Sequence, residues 1–182
     1  PNSLDTIPKN VGLLANINLM NLKEKAGGAE LNELYSFKNF NKELRKKNKD
    51  VYRLVDEIIN SPETTGIDFS KDLLMFYLNE VQDEHYFSFT FDLYDSEQFT
   101  AFIKDELLTL EEGLEIQEGK NFSYTLFNKE FGIGWDTEKA IVLVPENYRS
   151  KEYIDFELDN LFNLKESNRI SNNLSFKKFY EE

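Results

Sequence analysis

The chain has 182 residues, of which 40% are hydrophobic and 14% aromatic, and its formal net charge is −13. This content of apolar and aromatic side chains supports a buried core and excludes an intrinsically disordered chain. The strong negative charge argues against nucleic acid and against an anionic lipid surface as partners. Because the sequence has no cysteine, it excludes a disulfide framework, a thiolate nucleophile and a Cys-based zinc site.

The first third of the chain divides into a polar start, a strand and a helical region. Residues 1–10 are polar and turn-like, and we predict a flexible leader there. Alternating apolar and polar residues predict a half-buried strand over residues 11–19. Apolar residues at helical spacing predict helices between residues 29 and 60, which the pair Ser61 and Pro62 ends.

The middle of the chain alternates between predicted strands and one helix. Residues 73–78 and 85–93 predict a hairpin, in whose second strand the phenylalanines are expected to face the core. The polar alternate positions of that strand would then lie on its other face. Asp95 or Ser96 is the predicted N-cap of a helix. Four short strands separated by turn residues predict a β-meander over residues 114–117, 122–127, 131–135 and 140–144.

The order of these elements predicts an α+β fold. We expect a ferredoxin-like split β-α-β antiparallel sheet, extended by the C-terminal β-meander, with helices on one face. This sheet domain would span residues 11–148. Residues 149–182 are predicted to be a helical segment that begins a second unit, truncated at residue 182.

No arrangement of residues predicts catalysis, a cofactor or a metal ion. His85, the single histidine, lies next to acidic residues at the start of a predicted strand, with no Gly-x-Ser-x-Gly motif in the sequence. The acidic stretch between Glu106 and Glu118 favours a solvated edge over a paired glycosidase site. Neither the group around Asp92, Asp95 and Glu97 nor the group around Asp155, Glu157 and Asp159 has the spacing of a calcium loop. We therefore expect a protein that is not an enzyme.

One stretch of the acidic chain is strongly basic. Two readings remain open for it: a solvated helix face, or a helix that docks an acidic protein partner or an anionic glycan. The charge contrast could also support homo-oligomers. The candidate docking residues are Lys38, Lys42, Arg45, Lys46, Lys47, Lys49 and Arg53.

The predicted meander contains aromatic residues that allow a second interpretation. Trp135 and Tyr124 could stack on sugar rings if they are exposed, whereas alternating aromatic residues are more often part of a core. These two residues are the candidate glycan-stacking pair.

Three segments together resemble an uncharacterised domain-of-unknown-function family of Bacteroidota envelope lipoproteins. They are I-P-K-N-V at residues 7–11 with the strand after it, T-G-I-D-F-S-K at residues 65–71, and L-S-F-K-K-F at residues 174–179. The resemblance implies an extracytoplasmic protein, periplasmic or at the cell surface, held on the outer membrane by a lipid upstream of Pro1. It implies no activity and no functional residues. Asp5-Thr6-Ile7 also resembles an O-glycosylation acceptor of that lineage; this reading requires Thr6 to be exposed, and a plain turn is the alternative.

The combined expectation is a binding or accessory subunit of a protein assembly in the outer membrane or periplasm. A polysaccharide-binding protein, with hydrolysis less favoured, is the alternative. The membrane would be contacted through the upstream lipid anchor alone.

Overall fold

The computed structural model describes residues 2–18, 21, 42, 62–80, 84–110, 112–127, 131–145 and 151–181. Seven strands lie in this part of the chain: β1 Leu13–Ile17, β2 Leu73–Glu80, β3 Glu84–Asp92, β4 Gln117–Glu118, β5 Ser123–Phe127, β6 Phe131–Trp135 and β7 Lys139–Pro145. Three α-helices accompany them: α1 Ser96–Phe102, which continues into a π-helical turn at Ile103–Leu107, α2 Lys151–Phe162 and α3 Leu174–Glu181. The four predicted strands of the meander are therefore confirmed, with the first of them shifted.

The strands form one antiparallel sheet in the order β1-β2-β3-β7-β6-β5-β4. The predicted α+β class is confirmed. In a split β-α-β unit, the strands on either side of the first helix are separated by another strand. Here β1 pairs directly with β2 along its whole length, from Leu13 opposite Tyr77 to Ile17 opposite Leu73. The predicted ferredoxin-like arrangement is not found among the described strands.

Both faces of the sheet carry a core, so the prediction of helices on one face is wrong. On one face, which we call the α2 face, Ile154 and Leu158 of α2 pack with side chains of β2, β5 and β7. On the other, the α1 face, Phe99 and Phe102 of α1 pack with Trp135 and Phe91. Successive residues along each strand alternate between the two faces, as the pleat of an antiparallel sheet requires, and residues paired across strands share a face.

The first residues are part of the α2-face core. A 3₁₀ helix over Asn2–Thr6 leads to Ile7, whose side chain is 0% exposed. Backbone hydrogen bonds join Ile170 N–H to the Ile7 carbonyl and Lys9 N–H to the Asn168 carbonyl. Residues 2–10 thus complete backbone hydrogen bonds against the rest of the fold, an arrangement that differs from the predicted flexible leader over residues 1–10.

The same segment explains a difference from the predicted orientation of β3. Its polar side chains occupy the more buried face, where Ser88 and Thr90 are fully buried. Of its phenylalanines, Phe91 is 7% exposed in the α1-face core, as predicted, whereas Phe87 is 39% exposed. The Thr6 hydroxyl lies 3.2 Å from the Thr90 hydroxyl, and the Asp92 carboxylate accepts a hydrogen bond of 2.7 Å from the Ser3 backbone N–H. These partners offset the cost of burying polar groups.

The C-terminal helices belong to the same core as the sheet. Two glycines of β6 let α2 approach closely: a Cβ on Gly132 would lie 2.5 Å from Ile154 Cγ2, and one on Gly134 would lie 2.7 Å from Phe162 Cε2. Ile170 is also buried in this core. The predicted boundary between residues 148 and 149 therefore does not separate two cores within the described residues.

Candidate interaction surface

The predicted basic docking residues lie outside the described residues, with one exception. Lys42 is described, and it is exposed. The structure therefore leaves the docking reading of the basic stretch as a prediction.

The structure removes the predicted glycan-stacking pair. Trp135 is 3% exposed, and its indole N–H donates a 2.9 Å hydrogen bond to the Thr100 hydroxyl beneath α1. Tyr124 is buried on the opposite face beside Phe122. Burial, together with a hydrogen bond to Asp155 and the charge of that carboxylate, raises the pKa of Tyr124 to about 12. Both rings therefore belong to a core, which is the more common of the two readings of alternating aromatic residues.

Thr6 is likewise placed inside the molecule. The side chain is 1% exposed, and its hydroxyl donates a 2.7 Å hydrogen bond to the Ser3 carbonyl. A glycan acceptor must reach solvent, so the prediction of O-glycosylation at Thr6 is wrong for this folded arrangement.

The acidic groups considered at the sequence level serve separate local purposes. Asp92 binds the Ser3 backbone, and Asp95 caps α1 by accepting a 2.9 Å hydrogen bond from the Gln98 N–H. Along α2, Asp155 bonds to Tyr124 and Asp159 to Asn163. Within the described part of the chain, no three acidic or histidine side chains come together as a possible metal site.

A row of apolar side chains crosses the sheet on its α1 face. The strand register places Leu13, Tyr77, Phe87 and Val144 side by side on four neighbouring strands. Leu13 is 48% exposed and Phe87 is 39% exposed, whereas Tyr77 and Val144 are half-buried. We call these four residues the exposed row. A second row, formed by Ala15, Met75, Phe89 and Val142, continues the same surface and is partly buried.

Aromatic contacts hold the centre of the exposed row in place. The rings of Tyr77 and Phe87 lie 4.7 Å apart between centroids, and His85 stacks on Tyr77 at 5.9 Å with an interplanar angle of 20°. The Nδ1 atom of His85 is buried without a hydrogen-bond partner in the described part of the chain. His85 thus lies in the sheet beside an apolar surface.

Sequence reasoning missed the exposed row because it assigned the phenylalanines of β3 to the core. One signal could have pointed to it. Ser3 and Thr6 precede β1 and could have been recognised as partners for the polar side of β3, which leaves Phe87 on the less covered side.

Within the described residues, no helix is long and apolar enough to cross a membrane. The fold and surface define an α+β protein with a seven-stranded antiparallel sheet and an apolar row on one sheet face. The chain belongs to the family described as Domain of unknown function (DUF4836), whose model matches residues 4–182. No curated protein and no solved structure matches the chain significantly.

Proposed function

We propose that this chain is a non-enzymatic binding module that acts as an accessory subunit of a protein assembly in the cell envelope. The observation that carries the proposal is the exposed row. Apolar patches that stay accessible on a folded protein mark interaction sites, and aromatic residues are enriched at the centres of protein interfaces. A protein partner fits better than a small ligand because the row lies on a broad sheet face.

The envelope location has a different and independent basis. It follows from the resemblance of the segments at residues 7–11, 65–71 and 174–179 to lipoproteins of the bacterial envelope. A lipid anchor upstream of Pro1 would hold the module at the outer membrane, on its periplasmic side or at the cell surface. The basic residues from Lys38 to Arg53 would add charge-based attraction to an acidic partner.

The test changes the exposed row and measures the size of native complexes. Leu13→Ser and Phe87→Ser replace accessible apolar surface by hydroxyl groups, and Phe156→Ser on α2 is the matched control because Phe156 is 61% exposed. Cells producing each full-length variant are solubilised in mild detergent, and complexes are separated by native electrophoresis. Truncating a side chain at the centre of an interface costs about 2 kcal/mol or more of binding free energy. We therefore expect less of the complex to remain in Leu13→Ser and in Phe87→Ser, and an unchanged amount in Phe156→Ser.

Two results would contradict the proposal. Complexes that survive both row variants unchanged would remove the row as the contact. If the purified protein, with no other protein present, is a dimer that the row variants convert to a monomer, the row is a contact between two copies of this chain.

A further inference from the structure

The two edges of the described sheet are built differently. At one edge, β4 consists of only two residues, Gln117 and Glu118, and the second of them has a carboxylate. At the other edge, β1 has the five residues L-L-A-N-I, with no charged residue and no proline among them. Shortness, charge and proline are the devices that protect edge strands from pairing with other chains. The β4 edge is therefore protected by its sequence, whereas the β1 edge is not.

The outer side of β1 is accessible. Within the described part of the chain, β1 pairs with β2 alone, so the backbone groups on its outer side have no partner strand there. Gly12, Leu13 and Asn16 are exposed, with Leu13 on the α1 face and Asn16 on the α2 face. A row of outward backbone N–H and C=O groups on an apolar strand is a template for a further strand.

Hydrogen bonds hold β1 in place at both of its ends. At the start, the Gly12 N–H donates a 2.9 Å hydrogen bond to the Tyr77 carbonyl. At the end, the side-chain amides of Asn16 and Asn18 donate to the two carboxylate oxygens of Asp72, at 2.7 and 2.6 Å. Because this edge is already ordered, a segment that pairs with it does not have to order it on binding, which favours affinity.

The exposed row ends at this edge. Its outermost residue, Leu13, is 48% exposed and belongs to β1, and Ala15 and Ile17 lie on the same face of that strand. A strand added beside β1 would place every second side chain on the α1 face and so lengthen the apolar rows by one strand. A second copy of this chain is disfavoured as the donor of that strand, because two chains of net charge −13 repel each other.

We infer that the protein partner adds an extended segment of about five residues to the outer side of β1, with apolar side chains at the alternate positions that lie on the α1 face. In this mode of binding, main-chain hydrogen bonds supply affinity and the alternate side chains supply specificity. The inference rests on the proposed partner at the exposed row and names how that partner binds.

The test locates the partner from three positions of β1. A small diazirine amino acid replaces Leu13, Asn16 or Ile17 in the full-length protein, one position at a time. The cells are irradiated, and mass spectrometry identifies the crosslinked residues of the captured protein. Because Leu13 and Ile17 lie about 14 Å apart along the strand, an added strand should be crosslinked from them at sites about four residues apart. A helix on the sheet face rises about 1.5 Å per residue, so its sites would lie about nine residues apart.

Two controls separate an added strand from a partner that lies on the sheet face. Asn16 lies on the α2 face, so a strand beside β1 should be captured from Asn16 as well, whereas a partner on the α1 face should not. In the purified complex, amide hydrogen exchange over residues 12–17 should slow by about tenfold or more relative to the free chain. Exchange at the opposite edge, in Gln117 and Glu118, should be unchanged.

The outcomes distinguish this inference from the proposed function. A captured protein with sites about nine residues apart, and no product from Asn16, would overturn the added strand and leave the partner at the exposed row in place. The absence of any captured protein at all three positions would overturn both. A product that contains only this chain, from one copy or from two, would also overturn both.

Discussion

At the scale of single residues, Gly66 shows how one position fixes the turn before β2. Its φ of +75° lies in the left-handed region, and a Cβ there would approach the Asp95 carbonyl oxygen to 2.3 Å. The Gly66 carbonyl accepts a backbone hydrogen bond from Tyr94 at 3.0 Å. The T-G-I-D segment is thus a turn that anchors the start of α1, and its glycine is required for both conformation and space.

Replacing this glycine separates the two requirements. Gly113 has a similar φ of +83°, but a Cβ there would meet no atom within 4 Å. Gly113→Ala should cost about 1–2 kcal/mol of unfolding free energy for the left-handed backbone. Gly66→Ala should cost about 1–3 kcal/mol more because the methyl group collides with the neighbouring backbone. Urea unfolding measures both, and equal losses in the two variants would contradict the account.

The ionisation of Tyr124 gives a prediction for alkaline pH. Its pKa is raised from 10.0 to about 12 by burial and by Asp155, so the folded protein holds this proton more tightly than the unfolded chain does. The stability that this contributes is fully present below pH 10 and is lost as the pH rises through about 12. In an absorbance titration, the parent chain should form one tyrosinate only near pH 12, and this step should be missing in Tyr124→Phe. An unchanged titration curve in that variant would contradict the assigned environment.

At the scale of elements, sequence patterns predicted the strands well and their buried faces less well. Alternation located β3, and turn residues between short strands located β5, β6 and β7. The side chain of Asp95 caps α1 as expected. Alternation alone could not tell which face of β3 is covered, because that depends on where a segment distant in sequence packs. Ser3 lies 89 residues from Asp92, and no local pattern encodes their hydrogen bond.

The role of the N-terminal segment as part of the core can be tested at Ile7. The side chain is 0% exposed, and Ile7→Ala should reduce the unfolding free energy by about 2–5 kcal/mol through lost burial and the cavity left behind. Lys9→Ala, at an exposed neighbouring position, is the control and should change stability little. Chemical denaturation of both variants measures the difference. If Ile7→Ala unfolds at the same denaturant concentration as the parent chain, the N-terminal segment does not contribute to the stability of the core.

At the scale of the whole molecule, α2 and the sheet should unfold together. Leu158 is fully buried on the α2 face, whereas Trp135, the single tryptophan, reports on the α1 face. Because the two cores share one sheet, Leu158→Ala should lower the unfolding free energy measured by Trp135 fluorescence by about 2–5 kcal/mol. Leu174→Ala, at a highly exposed position, should leave it in place. If the unfolding midpoint measured by Trp135 fluorescence is the same in Leu158→Ala as in the parent chain, α2 and the sheet unfold separately, as a domain boundary at residue 149 predicts.

The candidate surfaces were less accessible to sequence reasoning than the fold. A cleft between the N-terminal segment and the end of α2 brings Lys9, Tyr86 and Asn168 together from three distant parts of the chain. The exposed row depends on strand register across four strands, which residue types alone do not determine. The sequence left two readings open for Trp135 and Tyr124 because a buried tryptophan with a hydroxyl partner has the same local pattern as an exposed one.

Site-specific photocrosslinking shows whether a protein partner contacts the exposed row. A photoreactive phenylalanine analogue replaces Phe87 in one full-length protein and Phe156 in another, and both are irradiated in the cells that produce them. We expect one crosslinked partner at position 87, none at position 156, and loss of the crosslinked product when Leu13→Ser is added. Crosslinks confined to the chain itself, or identical products at both positions, would contradict it.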